Sequence, residues 1–285
     1  MNASPFRMIS YFPGCSLATS AKESNRSLRT FCSHYGVELV ELKDWNCCGS
    51  SSAHSINTEL SEYLPARNLS LAPGNIPLLV ACPSCYLRLK LTHRHLRDDA
   101  NAQAEYRSMW GRPFNPDLRI INFFELLSEL ADTGAFANKQ TRLNGLKFVP
   151  YYGCMLARPP ALRFEKNFHG LMENILTSLG AEPLRWSHAA RCCGTYLSVS
   201  RPDIASRTVQ QIMDGAAAAG AECIVTACAM CHLNLEIRSH LPGKIPVLYF
   251  SELLSLAEGM GQGMGWFRKH LIDPRPLLKS RRLIA

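Results

Sequence analysis

Apolar and polar positions along the chain set out alternating strands and helices. Met8-Ile9-Ser10-Tyr11-Phe12 is a short apolar run halted by Pro13-Gly14, which predicts a strand with Cys15 just past its end. Residues 21–35 predict a helix, with Leu28, Phe31 and Cys32 on one apolar side and Gly36 as its stop. Residues 37–42 alternate with period two, a strand signal, and run directly into Asn46-Cys47-Cys48-Gly49. Residues 56–71 are helical in pattern, and Pro65 is expected to break that helix or start a second one. Residues 77–81 form an apolar run short enough for a buried strand, followed by Cys82-Pro83-Ser84-Cys85 and a helix over 86–97. All these cysteine sites fall at the C-terminal ends of predicted strands, where the binding crevice of an open α/β sheet lies.

The polar stretch 98–117, with Gly111, Pro113 and Pro116, predicts a connecting loop. Ile120-Ile121-Asn122-Phe123-Phe124-Glu125-Leu126-Leu127 then reads as a strand-to-helix unit, and it recurs nearly verbatim as Val247-Leu248-Tyr249-Phe250-Ser251-Glu252-Leu253-Leu254. Between the copies the order of elements repeats. A strand over 147–151 leads to Cys154, and a helix over 164–179 is stopped by Gly180. A short segment then leads to Cys192-Cys193, a helix over 204–219 is stopped by Gly220, and a strand over 222–227 leads to Cys228.

The cysteines follow the same duplication. The first half reads C-x31-C-C-x33-C-x2-C through Cys15, Cys47, Cys48, Cys82 and Cys85. The second reads C-x37-C-C-x34-C-x2-C through Cys154, Cys192, Cys193, Cys228 and Cys231. Equivalent sites lie about 140 residues apart, so the repeat covers nearly the whole chain. The expected fold is α/β, with two similar halves related by internal duplication about a pseudo-two-fold axis. Each half should hold a small, mainly parallel sheet flanked by helices. The expected divisions are 1–143, 144–258 and a basic, glycine-led tail over 259–285. That tail reads as a loosely packed solvated appendage, or as a docking arm for an acidic subunit or a membrane surface.

Composition narrows the chemistry. With 285 residues and 47% apolar content the chain can bury a substantial core. No secretory signal and no membrane-length apolar run is evident, so a soluble, cytoplasmic protein is expected. Twelve cysteines in that setting argue against a disulfide framework and for metal or cluster ligation. The net charge of +8 suits acidic partners, anionic substrates or phospholipid alike. Its scattered basic residues disfavour nucleic-acid binding. Adjacent cysteines reach one small ion poorly but can serve two metals of a cluster, and thiolates are the usual iron–sulfur ligands. Five thiols exceed what a four-iron cubane needs, which implies an unusual cluster or a cubane plus a free thiol. Structural zinc and plain buried thiols remain open on these residues alone.

The doubled motif resembles the CCG domain found in the B-type subunit family of heterodisulfide reductase. That resemblance spans most of the chain. It implies two non-cubane [4Fe-4S] clusters, one held by Cys15, Cys47, Cys48, Cys82 and Cys85, the other by Cys154, Cys192, Cys193, Cys228 and Cys231. It implies a catalytic oxidoreductase subunit that reduces a disulfide, or oxidises thiol or sulfane sulfur such as lipoate-bound sulfur, by one-electron steps. An iron–sulfur C-type subunit and a flavin-bearing A-type subunit would be its partners. A second reading is an electron-transfer and membrane-anchoring subunit of a succinate, fumarate or lactate dehydrogenase, with lipid touching the basic tail. A zinc-bearing interaction module is a third. No C-x2-C-x2-C-x3-C-P run is present, so electrons must pass to or from a partner chain.

Other residues are assigned by environment. Gly49 and Gly194 are expected to allow close backbone approach to a cluster or a positive φ. Cys32 and Cys223 lie outside the motif and read as small buried residues. His54, His188 and His232 neighbour the cysteines, and His232 is a candidate hydrogen-bond or proton donor there, against the plainer reading of a core histidine. Arg67, Arg158 and Arg191 are candidate contacts for an anionic substrate.

Overall fold

A computed structural model describes residues 6–50, 53–136, 142–157, 159, 168–239, 245–260 and 265–285, with backbone only at residue 54. Two four-stranded sheets form its frame. The first, ordered β2-β1-β3-β4, contains β1 (Met8–Phe12), β2 (Glu38–Glu41), β3 (Leu78–Val80) and β4 (Ile120–Ile121). The second, ordered β6-β5-β7-β8, contains β5 (Lys147–Tyr151), β6 (Glu182–Pro183), β7 (Cys223–Thr226) and β8 (Val247–Tyr249). Every neighbouring pair is parallel. The two orders are the same when read in each half's own sequence, so the duplication is a duplication of topology.

Strand chemistry follows position. β1 and β3 are central, covered on both faces, and accordingly read as near-continuous apolar runs: Ile9, Tyr11, Phe12, Leu78, Leu79 and Val80 are all buried. β2 lies at the edge and is largely exposed, while its flanking Val37 and Leu42 are buried. In each half the last strand feeds a helix whose third residue, a glutamate, caps its start, reciprocally in the first half and one-way in the second. Asn122 accepts from Glu125 N while Glu125 Oε1 accepts from Asn122 N, and Glu252 Oε2 accepts from Tyr249 N in the same way.

The halves contact each other reciprocally. Helix Phe250–Ala257 packs on helix Lys22–His34, and helix Phe123–Asp132 packs on helix Leu171–Ser178. Phe124 and Phe250 meet at the centre with ring centroids 5.5 Å apart, and Ser27 and Ser251 share a buried hydrogen bond of 2.7 Å. Helix Gly14–Ala18 touches helix Ala229–Arg238, and helix Gly153–Ala157 touches helix Pro83–Asp98. Each helix that begins at a first cysteine therefore meets the opposite half's C-x-x-C helix. One apolar core runs from Ile9 to Leu283 across both halves. Phe250→Ala, a cavity at that junction, should lower unfolding free energy by about 3–5 kcal/mol. Urea denaturation of the metal-free protein checks this, and an unchanged midpoint would place the junction outside the cooperative unit.

Three sequence expectations change. Pro65 sits inside one continuous helix, Thr58–Leu71, where it costs a single hydrogen bond to the Ser61 carbonyl and does not break the helix. Much of the presumed loop over 98–117 is a helix, Ala100–Trp110, opened by Asp99, which accepts from Asn101 N and Ala102 N, and closed by left-handed Gly111. Of the helix expected over 164–179, Leu171–Ser178 is described and 164–167 lie outside the described residues.

The tail departs furthest from expectation. Residues 265–285 are packed against the body. Trp266, Phe267, His270, Ile272, Leu278 and Leu283 are buried, helix Arg275–Ser280 is formed, and Arg281 pairs with Glu222 at 2.6 Å. The basic residues dominate the sequence there, but the apolar ones between them determine the packing. Arg268, Lys269 and Lys279 remain exposed, whereas the aromatic rings are core. Among the described residues no helix is long and apolar enough to cross a membrane.

Candidate functional site

Parallel strands aim all their C-terminal ends at one edge of a sheet, and the reciprocal helix contacts turn the two edges toward each other. All ten motif cysteines line a single cavity of about 680 Å³ between the halves. In the first half Cys15 starts its helix after β1, Cys47 and Cys48 occupy the loop after β2, and Cys82 caps helix Pro83–Asp98, which carries Cys85. The second half repeats this with Cys154, then Cys192 and Cys193, then Cys228 capping helix Ala229–Arg238, which carries Cys231. All twelve cysteines of the chain are free.

Sulfur atoms crowd together in both halves. Cys47 and Cys15 sulfurs are 3.8 Å apart, Cys48 and Cys85 3.1 Å, and Cys193 and Cys231 3.5 Å. Hydrogen bonds with Cys47 and Cys85 pull the Cys48 thiol down to about 5, and the bond to Cys231 draws Cys193 down to about 7. Their neighbours move the other way. The bond to Cys47 raises Cys15, the bond to Cys192 raises Cys154, and bonds to Cys48 and Cys193 raise Cys85 and Cys231. Each half thus presents thiolates beside thiols that retain the protons. Among the described residues no Asp, Glu or His lines the cavity. An all-thiol donor set of this kind fits iron–sulfur clusters and soft metals, and does not fit hard cations such as Mg²⁺ or Ca²⁺.

The adjacent-cysteine loops are clamped from behind by buried asparagines. Asn68 accepts from Asn46 N at 2.9 Å and donates to the Asn46 carbonyl at 2.9 Å, while Asn234 donates to the Cys193 carbonyl at 2.7 Å. Gly49 and Gly194 have φ of +73° and +77°. Their amides donate to the preceding Cys47 and Cys192 sulfurs at 3.5 and 3.4 Å. Their close packing is against helices, since a Cβ at Gly49 would meet Ala53 and one at Gly194 would meet Ala205. Neither glycine lines the cavity.

Two other glycines approach the sulfurs more directly, and sequence reasoning passed over them. Gly14 and Gly153 have φ of +72° and +68°, and a Cβ there would lie 3.0 Å from Cys85 Sγ and 3.1 Å from Cys231 Sγ. Gly153→Ala is therefore expected to displace Cys231 and lower iron retained by the second half, and Gly14→Ala should do the same to the first. Iron per chain after anaerobic gel filtration checks this, and unchanged iron in both variants would refute it.

The remaining candidates separate clearly. Arg67 donates to Asp44 and Asn46, buttressing the Cys47 loop from outside, and Arg191 donates to Gln211; neither lines the cavity. Arg158 and the side chain of His54 lie outside the described residues. His188 packs against Trp186, away from the sulfurs. His232, a candidate donor to the sulfurs, is absent from the cavity lining and contacts the Val247 carbonyl at 2.9 Å within the core, in keeping with the plainer reading. Cys32 and Cys223 are fully buried, and burial pushes the Cys32 thiol up to about 12. Among the described residues the cation that does line the cavity is Arg238, held by Asn234 Oδ1 at 2.9 Å and the Ser198 carbonyl at 2.9 Å. Its sequence signal was present: Cys231, Asn234 and Arg238 sit at i, i+3 and i+7 on one helix face.

A reciprocal pair of cysteine sites built on two repeats defines a class, and comparison with known proteins agrees. The chain belongs to the CCG cysteine-rich domain family, which matches residues 9–90 and 148–236. Among curated relatives it is 29% identical over 263 residues to the membrane anchor subunit of the 8-methylmenaquinol:fumarate reductase of Wolinella succinogenes, covering 88% of this chain and 92% of that one. It is 24% identical over 274 residues to the B-type subunit of the ferredoxin:CoB-CoM heterodisulfide reductase of Methanosarcina mazei, covering 88% and 89%. A solved structure of a hypothetical protein from Helicobacter pylori shares the fold with a TM-score of 0.71 at 12% identity, covering 95% of this chain. The chain spans about half, 53%, of that structure's length. It is thus a CCG chain like the B-type subunits of heterodisulfide reductases, and its relatives are subunits of multisubunit reductases.

Proposed function

We propose that the chain is the cluster-bearing subunit of an oxidoreductase complex in which two non-cubane [4Fe-4S] clusters, one per cysteine set, act on one substrate bound between them. The observation that carries this is the single cavity lined by all ten cysteines. Two independent electron relays would not need to share a chamber, whereas breaking a sulfur–sulfur bond needs two single electrons delivered to one place, and making one needs two withdrawn from it. Clusters of this kind supply those electrons singly. The chain itself positions and shields. Met155, Met230, Leu233 and Ile237 give the chamber apolar walls, and Arg238 offers one charge for an anionic group. Ser16 bonds Met230 Sδ at 3.1 Å and Ser50 bonds the Tyr196 hydroxyl at 3.1 Å, two bridges that fix the distance between halves. The substrate class is a disulfide, thiol or protein-bound sulfane sulfur, with C-type and A-type subunits as electron partners.

A second reading rests on the fumarate reductase relative and on the apolar rim. Val199, 94% exposed, and Ile237, 56% exposed, stand at the mouth of the cavity. There the chain would pass electrons between a membrane quinol and a partner enzyme. Anaerobically purified protein should contain about eight irons, four per cysteine set. Thiol addition should then change the paramagnetic resonance signal of the oxidised protein, and reduced viologen should be consumed by a disulfide. Oxidation of a menaquinol analogue without any thiol response would replace the first reading with the second. Iron-free protein would end both.

A further inference from the structure

Behind the second cysteine site, away from the cavity, four buried side chains from three parts of the chain converge. His232 and Glu236 lie one turn apart on helix Ala229–Arg238, Glu252 comes from helix Phe250–Ala257, and His270 comes from the C-terminal segment. None of their side chains is more than 3% exposed. His232 Nε2 and His270 Nδ1 are 3.2 Å apart, His270 Nδ1 and Glu236 Oε1 are 3.3 Å apart, and His232 Nε2 and Glu236 Oε1 are 3.6 Å apart. Nitrogen and oxygen ligands of tetrahedral zinc, at roughly 2.0–2.1 Å from the ion, stand about 3.3 Å from one another. The three atoms already have that spacing.

Three further observations point to a cation at their centre. Glu236 Oε1 is buried without a hydrogen-bond partner, although Glu236 Oε2 accepts from Leu271 N at 2.8 Å. An interior carboxylate oxygen left this way is costly unless something binds it. The outer contacts match those of metal-bound imidazoles: His270 Nε2 donates to Glu252 Oε1 at 2.9 Å, and Glu252 Oε2 is held by Tyr249 N at 2.9 Å. The Val247 carbonyl oxygen also lies beside the cluster, 2.9 Å from His232 Nε2. Charge balance agrees. Among the described residues neither carboxylate pairs with an Arg or Lys. A divalent ion between two neutral imidazoles offsets the two carboxylates, whereas one proton on His270 offsets only one; a third buried acid, Glu23, also faces Glu252, His270 and Glu236, and burial favours its protonated form.

We propose that His232, Glu236 and His270 bind one divalent ion of the zinc class, with Glu252 orienting His270. The ion would fasten the C-terminal segment to the helix that carries Cys231.

The inference does not depend on what the ten cysteines hold, and its test separates the two. Holoprotein from zinc-replete medium is analysed for all metals and by zinc K-edge absorption. The expected result is near-stoichiometric zinc beside iron, with nitrogen and oxygen neighbours at about 2.0–2.1 Å. His270→Gln should reduce zinc to background with iron retained, and Glu252→Gln should weaken zinc retention about 10–100-fold. Cys192→Ser should lower iron and leave zinc in place. Wild-type protein without zinc, or zinc with sulfur neighbours at about 2.3 Å, overturns the proposal without recourse to any variant. Such a result would leave His270 as a proton-charged bridge between the two glutamates.

Discussion

Cys193→Ala should remove the iron of the second half, about four atoms per chain, and abolish turnover while the first half keeps its own. Cys193 is buried, its backbone carbonyl is pinned by Asn234, and its thiol is one of those drawn toward the thiolate form. Loss of groups that merely orient a metal ligand costs about 10–100-fold in affinity or activity, so loss of a ligand should exceed that range. If both sites serve one substrate, the half-loaded protein should be as inactive as the metal-free one. Cys223→Ser is the control, since Cys223 is a strand residue remote from the cavity. Iron content and viologen-linked turnover decide the matter. A Cys193→Ala protein that keeps full iron would remove this cysteine from the ligand set, and one that keeps half the activity would show that the sites work separately.

Removing residues 265–285 should leave the chain unable to hold its fold. Trp266, Phe267, Leu278 and Leu283 are buried, and each large apolar side chain removed from water contributes about 1.5–3 kcal/mol. Four of them amount to about 6–12 kcal/mol as an upper bound, comparable with the about 5–15 kcal/mol that holds a whole domain together. The truncated chain is expected to be insoluble or to lose its thermal transition, read by circular dichroism and sedimentation. A soluble truncated protein with an unchanged transition would mean the segment is the dispensable arm its composition suggests.

That contrast shows what was legible in the sequence. The strands, the duplication and the ten cysteines could be read because each rests on short-range pattern: a burst of apolar residues, a glycine stop, a fixed cysteine spacing. The tail could not, because Trp266 and Leu278 are separated by charged residues and acquire their meaning only from the surface they cover. Helix Ala100–Trp110 was missed for a related reason. It buries only Tyr106, so its apolar stripe is too thin to see, although the Asp99 and Gly111 caps were in view. Arg238 carries no such local cue: it lies seven residues past Cys231, and only the helix turn brings it to the same face, whereas Arg191 sits closer to a cysteine along the chain without lining the cavity. His232 is next to Cys231 in sequence but not beside it on the helix face, since successive helical residues point in different directions. The reciprocal helix contacts that merge two crevices into one chamber leave no local trace at all.

The repeats are not perfect copies where it matters to an electron. Both adjacent-cysteine loops give one sulfur an amide donor, from Gly49 or Gly194. Among the described residues a hydroxyl, Thr195, also stands 2.9 Å from the deeper sulfur of Cys193 in the second half. Its counterpart Ser50 is turned across the junction to Tyr196. Hydrogen bonds to sulfur stabilise the more negative, reduced state and raise the reduction potential. Clusters held by the two cysteine sets would therefore not sit in identical surroundings, and the Thr195 hydroxyl would favour the reduced state of the second. Under the proposed function, a duplicated site with twofold topology would then have unequal halves, one the better electron acceptor.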